Sequence, residues 1–294
     1  MDENMSKSCQ VTVIIPAFDE EETIAEDINV IVETMQKSDY QYEIIVVDDG
    51  STDKTAQIIE ARKEVKLLQH SYNRGVGAAR KTGILKAKGE IIVMTDGDGT
   101  YPNQDIPELM NYIKDYDMVI GARVGKNVTW PLIRRPARWF IRKLASYLIA
   151  TKIPDLNSGL RVFKKNLARK FFAILPDGHS WVSTITLVFL ANGYTIKYVP
   201  IDYYKRKGKS TIHPMKDTYN FILLVVRTVM YFNPLRVFLP LTGIVLSIAI
   251  VRTVYDATVL HRIKESDIML FLTGLIIGML GLLADLIVRL QKKD

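Results

Sequence analysis

The sequence holds a single cysteine, Cys9, in 294 residues. One thiol excludes an intrachain disulfide framework and suits a reducing compartment. The first ten residues are polar and carry no apolar stretch of signal-peptide type, so no cleavable signal is expected. Internal repeats and low-complexity tracts are lacking as well, which argues against solenoids and long linkers. The chain also lacks a recognised nucleic-acid module, although its formal net charge is +7. A basic excess of this kind suits anionic partners, and anionic lipids or phosphate substrates fit its sign as well as nucleic acid does.

The hydrophobic residues, 48% of the total, are unevenly spread. Residues 11–15, 43–47, 65–68 and 91–95 are short, nearly continuous apolar runs that read as buried parallel strands. Helical patterns fall between them: Ile24, Ile28, Ile31 and Met35 recur at helical spacing, and residues 55–62 and the end of 73–88 are helical too. Four strand–helix alternations predict a mostly parallel α/β sheet, in which ligands bind beyond the carboxyl ends of the strands. The acidic groups Asp19/Glu20, Asp48/Asp49 and Asp96/Asp98 all follow strands, so one sheet edge should gather them. Residues 118–209 are less regular. Residues 237–251 and 268–284 are uncharged apolar runs. Extended to 237–256 and 268–288, each reaches the ~20 residues that a membrane helix needs. A buried soluble hairpin is the competing reading, but nothing else in the C-terminal part is able to cover two helices apolar all round. Arg252 and Asp285 fall near helix ends and should not pair with each other. Basic residues flank the pair on the outside (Arg227, Arg236, Arg289, Lys292, Lys293), which predicts cytoplasmic chain ends. The expected division is a cytoplasmic catalytic domain over 1–212, an interfacial helix or linker over 213–236, and a transmembrane hairpin over 237–290.

Asp96-Gly97-Asp98 is the strongest chemical signal. Two carboxylates one residue apart at a strand end can converge on a hard divalent cation, Mg²⁺ or Mn²⁺, while the small Gly97 leaves room for a ligand. Such an ion bridges a diphosphate and offsets leaving-group charge. An isolated Asp-x-Asp is more often a solvated turn, but the acidic neighbours favour the metal.

Four segments together carry a resemblance: residues 13–21 (VIIPAFDEE), 46–53 (VVDDGSTD), 73–80 (NRGVGAAR) and the Asp96-Gly97-Asp98 triplet. In this order and spacing they resemble family 2 glycosyltransferases, over about residues 11–210. Within that family the chain is most similar to dolichyl-phosphate mannose and glucose synthases. The resemblance implies a Rossmann-like GT-A catalytic domain. It further implies that Pro16, Phe18, Glu20, Asp48 and Asp49 surround a nucleotide diphosphate-sugar, together with Asp96, Asp98 and Arg206. The family's usual tyrosine and asparagine are Phe18 and Asp19 here; a phenyl ring still stacks on a base. Thr100 stands where mannose synthases often carry a glutamine metal ligand, so the implied metal set is Asp96, Asp98 and Thr100. Arg123, after the strand at 118–120, is implied to contact a phosphate. Residues 130–150 form a basic amphipathic stretch with Arg134, Arg135, Arg138, Arg142 and Lys143 among aromatic and aliphatic residues, suited to a lipid headgroup layer or, otherwise, to packing on the sheet. Arg123 and Arg138 are assigned to the phosphate of a polyprenyl (dolichyl) acceptor. Ser158, in the segment 157–163 after Asp155, is placed on that same side. The basic loop 205–210 resembles one that closes over the donor, with Arg206 on its diphosphate. Residues 219–232 read as an interfacial helix.

The expected reaction is a single inverting displacement. The acceptor phosphate, with a second pKa of ~6, is already an anion and needs little help from a base. Asp98, Arg123, Arg138 and Arg206 are the residues expected to carry catalysis. The first donor choice is GDP-mannose, with UDP-glucose or UDP-N-acetylglucosamine as alternatives, and the product would serve glycan or protein glycosylation. A processive polysaccharide synthase is a rival, but Arg135 replaces the glutamine of its Gln-x-x-Arg-Trp segment. A non-catalytic nucleotide-sugar binder is another. No nucleic-acid partner is expected, and a homo-oligomer is left open.

Overall fold

The structure, a computed structural model, describes residues 9–125, 135–206 and 214–291; side chains are described from 139 in the second stretch and over 222–290 in the third. The elements are β1 (Val11–Ala17), α1 (Ile24–Gln36), β2 (Tyr42–Asp48), α2 (Thr55–Glu60), β3 (Lys66–Gln69), α3 (Val76–Lys86), β4 (Ile91–Met94), a 3₁₀ turn (Asn103–Asp105), α4 (Ile106–Asn111), β5 (Met118–Ala122), α5 (Arg135–Ile149), β6 (Arg161–Lys164), α6 (Lys165–Arg169), α7 (Trp181–Ala191), β7 (Ile196–Pro200), α8 (Pro214–Phe232), α9 (Leu235–Val259) and α10 (Glu265–Gln291).

Seven strands form one sheet in the order β3-β2-β1-β4-β6-β5-β7. All neighbouring pairs are parallel except those of β6, which runs antiparallel to both β4 and β5. The central strands are apolar on both faces because both faces are covered. Val11, Val13 and Ile15 of β1 join Ile24, Ile28 and Ile31 of α1 in one core layer. Ile14 turns to the opposite layer, with Ile84 of α3 and Trp181 and Ile185 of α7. Each such isoleucine, removed from water, contributes about 1.5–3 kcal/mol. From β1 the chain passes to β2 and β3 on one side and to β4 on the other. This reversal opens a crevice between the strand ends of β1 and β4, where open α/β sheets bind ligands.

A third cluster extends the fold beyond the sheet. Ile141, Ala145 and Leu148 of α5 pack with Leu187 of α7 and with Val225 and Val229 of α8, and Val237 of α9 leans on the same group. Arg236 donates to the carbonyls of Tyr147 and Leu148, both at 3.3 Å. The amphipathic α5 is thus divided by face. Leu148 is buried, whereas Trp139, Phe140 and Tyr147 are about half exposed.

Helices α9 and α10 form an antiparallel hairpin. Gly274, Gly278 and Gly281 lie where a β-carbon would meet Leu246, Thr242 and Phe238 of α9, so three small residues on one face of α10 set the close approach. Both helices are long and apolar enough to cross a membrane, and their apolar windows are only 6% and 11% buried in the molecule. Arg252 and Asp285 have separate partners: Arg252 lies 3.5 Å from Asp267, and Asp285 lies 2.6 Å from Arg289.

Candidate active site

Three acidic loops meet at the carboxyl ends of β1, β2 and β4. Asp19, after β1, adopts φ +52°, a left-handed conformation that Asp and Asn tolerate better than most residues. An aspartate therefore serves at this position as well as the asparagine usual in the resemblance. Its Oδ1 accepts the Thr52 N–H at 2.8 Å, and the Ser51 hydroxyl accepts the Asp19 N–H at 3.0 Å, which locks the β1 and β2 loops together. Pro16 is buried within β1. Phe18 is 38% exposed beyond it.

Asp48 and Asp49 are fully enclosed. Asp48 accepts the Ser51 N–H at 3.2 Å, the Ser51 hydroxyl and the Gln69 amide at 3.0 Å. Asp49 accepts the backbone N–H groups of Arg74 (3.0 Å) and Gly75 (2.8 Å) and lies 2.6 Å from His70 Nδ1, whose Nε2 is 2.9 Å from Thr82 Oγ1. This second aspartate therefore builds the 70–75 turn and ties it to α3. An open cleft of about 540 Å³ lies above, lined by Gly50, Ser51, Thr52, Gln69, His70 and Ser71. Its size suits a nucleobase with its ribose. The glycines of the 73–80 segment answer to packing: a β-carbon on Gly75 or Gly77 would collide with the Asp177 and Pro176 backbone, and the Asp177 carbonyl accepts the Gly77 N–H at 2.7 Å.

Asp96 and Asp98 form the second acidic pair. Arg80, 4% exposed on α3, donates to Asp96 Oδ1 at 2.7 Å while its guanidinium lies over the Trp181 ring at 5.6 Å. The Thr100 hydroxyl donates to Asp98 Oδ1 at 2.6 Å. Thr100 is 1% exposed and braces Asp98. Its hydroxyl thus stands beside the pair, engaged with Asp98. Gly97 departs from the expectation of ligand space. A β-carbon there would point into the core, 2.7 Å from Ile24 Cδ1 and 3.1 Å from Ile15 Cγ2. Arg206 closes the group from the far end of the chain: it pairs with Glu20, and its Nε lies 3.6 Å from Asp98 Oδ2.

The electrostatics are those of three carboxylates, Glu20, Asp96 and Asp98, with two arginines, Arg80 and Arg206, against them. Burial and then the neighbouring Asp96 push the Asp98 carboxyl above the ordinary carboxylate range, against the pull of Thr100 and Arg206. Burial also pushes Glu20 up to about 7, even with Arg206 against it. Hard oxygen donors that repel one another fit a divalent cation, which would relieve both effects.

The residues expected on the acceptor side are held deeper than a surface contact requires. Arg123 is 9% exposed, and its Nε and Nη2 donate to Asp155 at 2.7 and 2.9 Å while its guanidinium lies 5.1 Å from the Tyr203 ring centre. Burial disfavours the Asp155 charge, but the Arg123 guanidinium overcomes it and holds the carboxyl well below its usual range. Ser158 is fully buried, and its hydroxyl has no hydrogen-bond partner among the described residues. Beneath it Arg161, also fully buried, donates to the Ser158 carbonyl and, at 3.1 Å, to the Val182 carbonyl and the Thr186 hydroxyl. The side chains of Arg134, Arg135 and Arg138, and the loop residues 207–210, lie outside the described residues. The structure thus brings Glu20, Asp96, Asp98, Thr100 and Arg206 together and buries Asp48 and Asp49 behind Ser51, Gln69 and His70, which line the cleft. Arg80 was legible only as part of a motif. Its signal, a basic residue on the small-residue face of α3, identifies no partner.

The comparisons with known proteins agree with this geometry. The sequence model of glycosyl transferase family 2 matches residues 12–172, and that of the GtrB C-terminal hairpin matches residues 233–290. An uncharacterised protein of Methanocaldococcus jannaschii is 32% identical over 229 residues, 73% of this chain and 91% of that protein. A dolichyl-phosphate hexose transferase of Haloferax volcanii is 29% identical, covering 69% of this chain and 87% of its own length. Among solved structures, glucosyl-3-phosphoglycerate synthase of Mycobacterium tuberculosis in complex with Mn²⁺, UDP and phosphoglyceric acid superimposes with a TM-score of 0.60 at 18% identity, over 75% of this chain and 78% of that one. This last likeness concerns the fold. The chain belongs to glycosyl transferase family 2.

Proposed function

We propose that this glycosyltransferase moves a hexose from a nucleotide diphosphate-sugar to a polyprenyl phosphate at a membrane surface. The observation that carries the reading is the packed cluster of Ile141, Leu148, Leu187, Val225, Val229 and Val237, which joins the catalytic sheet to the root of an outwardly apolar hairpin. A water-soluble donor site and a lipid-embedded acceptor then meet in one rigid frame. The name of the Haloferax relative supports the same acceptor class. In this reading α9 and α10 span the bilayer with both chain ends in the cytoplasm, and Trp139, Phe140 and Tyr147 sit at headgroup level.

The donor base occupies the cleft above Asp48, with Phe18 against its face. Asp96 and Asp98 hold Mg²⁺ or Mn²⁺; when bound, the ion offsets charge on the diphosphate leaving group. Arg206, already between Glu20 and Asp98, covers the diphosphate and adds a second positive charge. Arg123 is clamped by Asp155, so it fixes the wall of the acceptor site and its charge attracts the lipid phosphate from behind that wall. Arg138 is proposed to grip the phosphate directly, with Ser158 reached only if the 157–159 turn opens. The phosphate oxygen attacks the anomeric carbon as the bond to the diphosphate breaks, with inversion. The protein's contribution is positioning and electrostatics.

The first donor is GDP-mannose, with UDP-glucose and UDP-N-acetylglucosamine as alternatives. The test is a donor panel offered to the detergent-purified chain with dolichyl phosphate and Mn²⁺ or Mg²⁺, reading lipid-linked sugar. One donor giving a lipid product supports the reading and names the sugar. No lipid product from any donor overturns it.

A further inference from the structure

The metal-binding loop is soft by composition and poorly packed on one side. It runs from Thr95 to Gly99, with Gly97 in the middle and Gly99 at φ +70°. A β-carbon on Gly99 would touch only Thr23, no nearer than 3.6 Å. On that side a small cavity of about 160 Å³ opens between α1 and the loop, lined in part by Asp27, Val30, Gly99, Asn103 and Gln104. Thr100 and Arg206 hold the Asp98 side chain, but packing does not fix the backbone of the loop that carries it.

Hydrogen bonds from α1 do. The Thr23 hydroxyl donates to the Gly97 carbonyl at 2.9 Å. Four residues later, one turn further along the same helix face, Asp27 Oδ2 accepts the Gly99 N–H at 2.8 Å. The other oxygen, Oδ1, accepts the Asn103 amide at 3.2 Å, and Asn103 Oδ1 in turn accepts the Thr95 hydroxyl at 2.7 Å. Thr95 immediately precedes Asp96, and Gly99 immediately follows Asp98. A single carboxylate thus ties both ends of the segment that carries the two metal ligands. Asp27 is 6% exposed, Asn103 1% and Thr95 0%, so solvent does not replace these bonds. A carboxyl group buried in a helix face is costly unless hydrogen bonds such as these satisfy it.

The geometry assigns Asp27 as a positioning residue for the metal ligands, acting through the Gly99 amide and through Asn103 and Thr95. The inference rests on the metal-dependent reading above. It reaches no substrate itself; outer-shell partners of this kind fix ligand direction, and their loss typically costs about 10–100-fold in metal affinity.

The test uses the full chain in detergent. Mn²⁺ binding is read by electron paramagnetic resonance with GDP present and, separately, with UDP, and hydrogen exchange is read over residues 95–103 without metal. Asp27→Ala should weaken Mn²⁺ binding by about tenfold or more and speed exchange at the Gly99 amide. In activity, the apparent KM for Mn²⁺ should rise while that for dolichyl phosphate stays within about twofold. Asp27→Asn keeps an acceptor for Gly99, and turning over the Asn103 amide re-satisfies the network, so Mn²⁺ affinity should return to within about threefold of the parent. If Asp27→Ala does not fold, Asn103→Ser decides: it frees only the Thr95 end and should weaken Mn²⁺ binding by about threefold. Parental affinity and exchange in Asp27→Ala, or parental affinity in Asn103→Ser, overturns the inference. An Asp27→Asn protein as weak as Asp27→Ala does so too. A parent chain that binds no Mn²⁺ with either nucleotide overturns the metal-dependent reading and this inference with it.

Discussion

Two pairs of carboxylates stand at strand ends on either side of β1, and the protein uses them in opposite ways. Asp48 and Asp49 follow β2; Asp96 and Asp98 follow β4. Both are acidic pairs on the same sheet edge. Asp48 and Asp49 are saturated by donors from their own surroundings, including two backbone N–H groups and His70 on Asp49 alone. Asp96 and Asp98 have Arg80, Arg206 and both the hydroxyl and the N–H of Thr100 against them. The first pair has its hydrogen-bonding capacity committed to building loops. The second, with Glu20 beside it, sets three carboxylates against two arginines, a negative surplus that suits a cation. Which carboxylates are free to bind is decided by who already donates to them, and spacing along the chain does not reveal that.

The contrast can be broken by substitution. Asp98→Ala should lower transfer by about 10³-fold, since it removes charge stabilisation of the leaving group, while the thermal midpoint stays close to the parent's because a disfavoured charge has gone. Asp49→Ala should do the reverse. It orphans the Arg74 and Gly75 N–H groups and should cost about 2–4 kcal/mol of stability, with transfer per folded molecule reduced far less. An Asp49→Ala protein as stable as the parent but inactive would reverse the contrast.

The buried Arg123–Asp155 pair sharpens it further. Leaving Arg123 unpaired by Asp155→Ala should cost about 3–5 kcal/mol, read as a lowered thermal midpoint. The Asp155 carboxyl is held below its unfolded value, so the pair's contribution is fully present above pH ~4 and is lost as pH falls through the lowered folded value. The gap in midpoint between the parent and Asp155→Asn should therefore be constant from pH 5 to 8 (roughly) and narrow only in stronger acid. A gap that grows with acidity contradicts the assignment. The smallest effect belongs to Phe18. Phe18→Ala should raise the donor KM by about tenfold through lost stacking, worth ~1–3 kcal/mol, whereas Phe18→Tyr should change it by less than about twofold.

The central strands were legible because β1, β2 and β4 are buried on both faces and read as unbroken apolar runs. The two helices of the hairpin were legible because they too are long apolar runs, although little of them is buried in the molecule. β6 was not. It is four residues long, begins and ends with a cation, and is antiparallel in a parallel sheet; the burial of Arg161 beneath Ser158 is invisible without the fold. β7 carries Lys197 at the sheet edge and hides its pattern in the same way. In the site, the acidic loops were legible as motifs, but their division of labour was not. Glu20 and Arg206 meet across 186 positions, and only the resemblance linked them. Asp27 was not legible, since nothing local shows that it is buried against a loop more than seventy positions away. Gly97 read as space for a ligand, and the core behind it is what requires a glycine.

The central claim is that the Asp96/Asp98 pair works with a divalent cation to transfer sugar onto a lipid phosphate. The most direct measurement is transfer of labelled sugar to dolichyl phosphate by the purified chain, before EDTA, after it, and after Mn²⁺ or Mg²⁺ is restored. The account predicts that lipid-linked sugar forms, disappears with the chelator and returns with the ion. Product that forms undiminished in EDTA would contradict it.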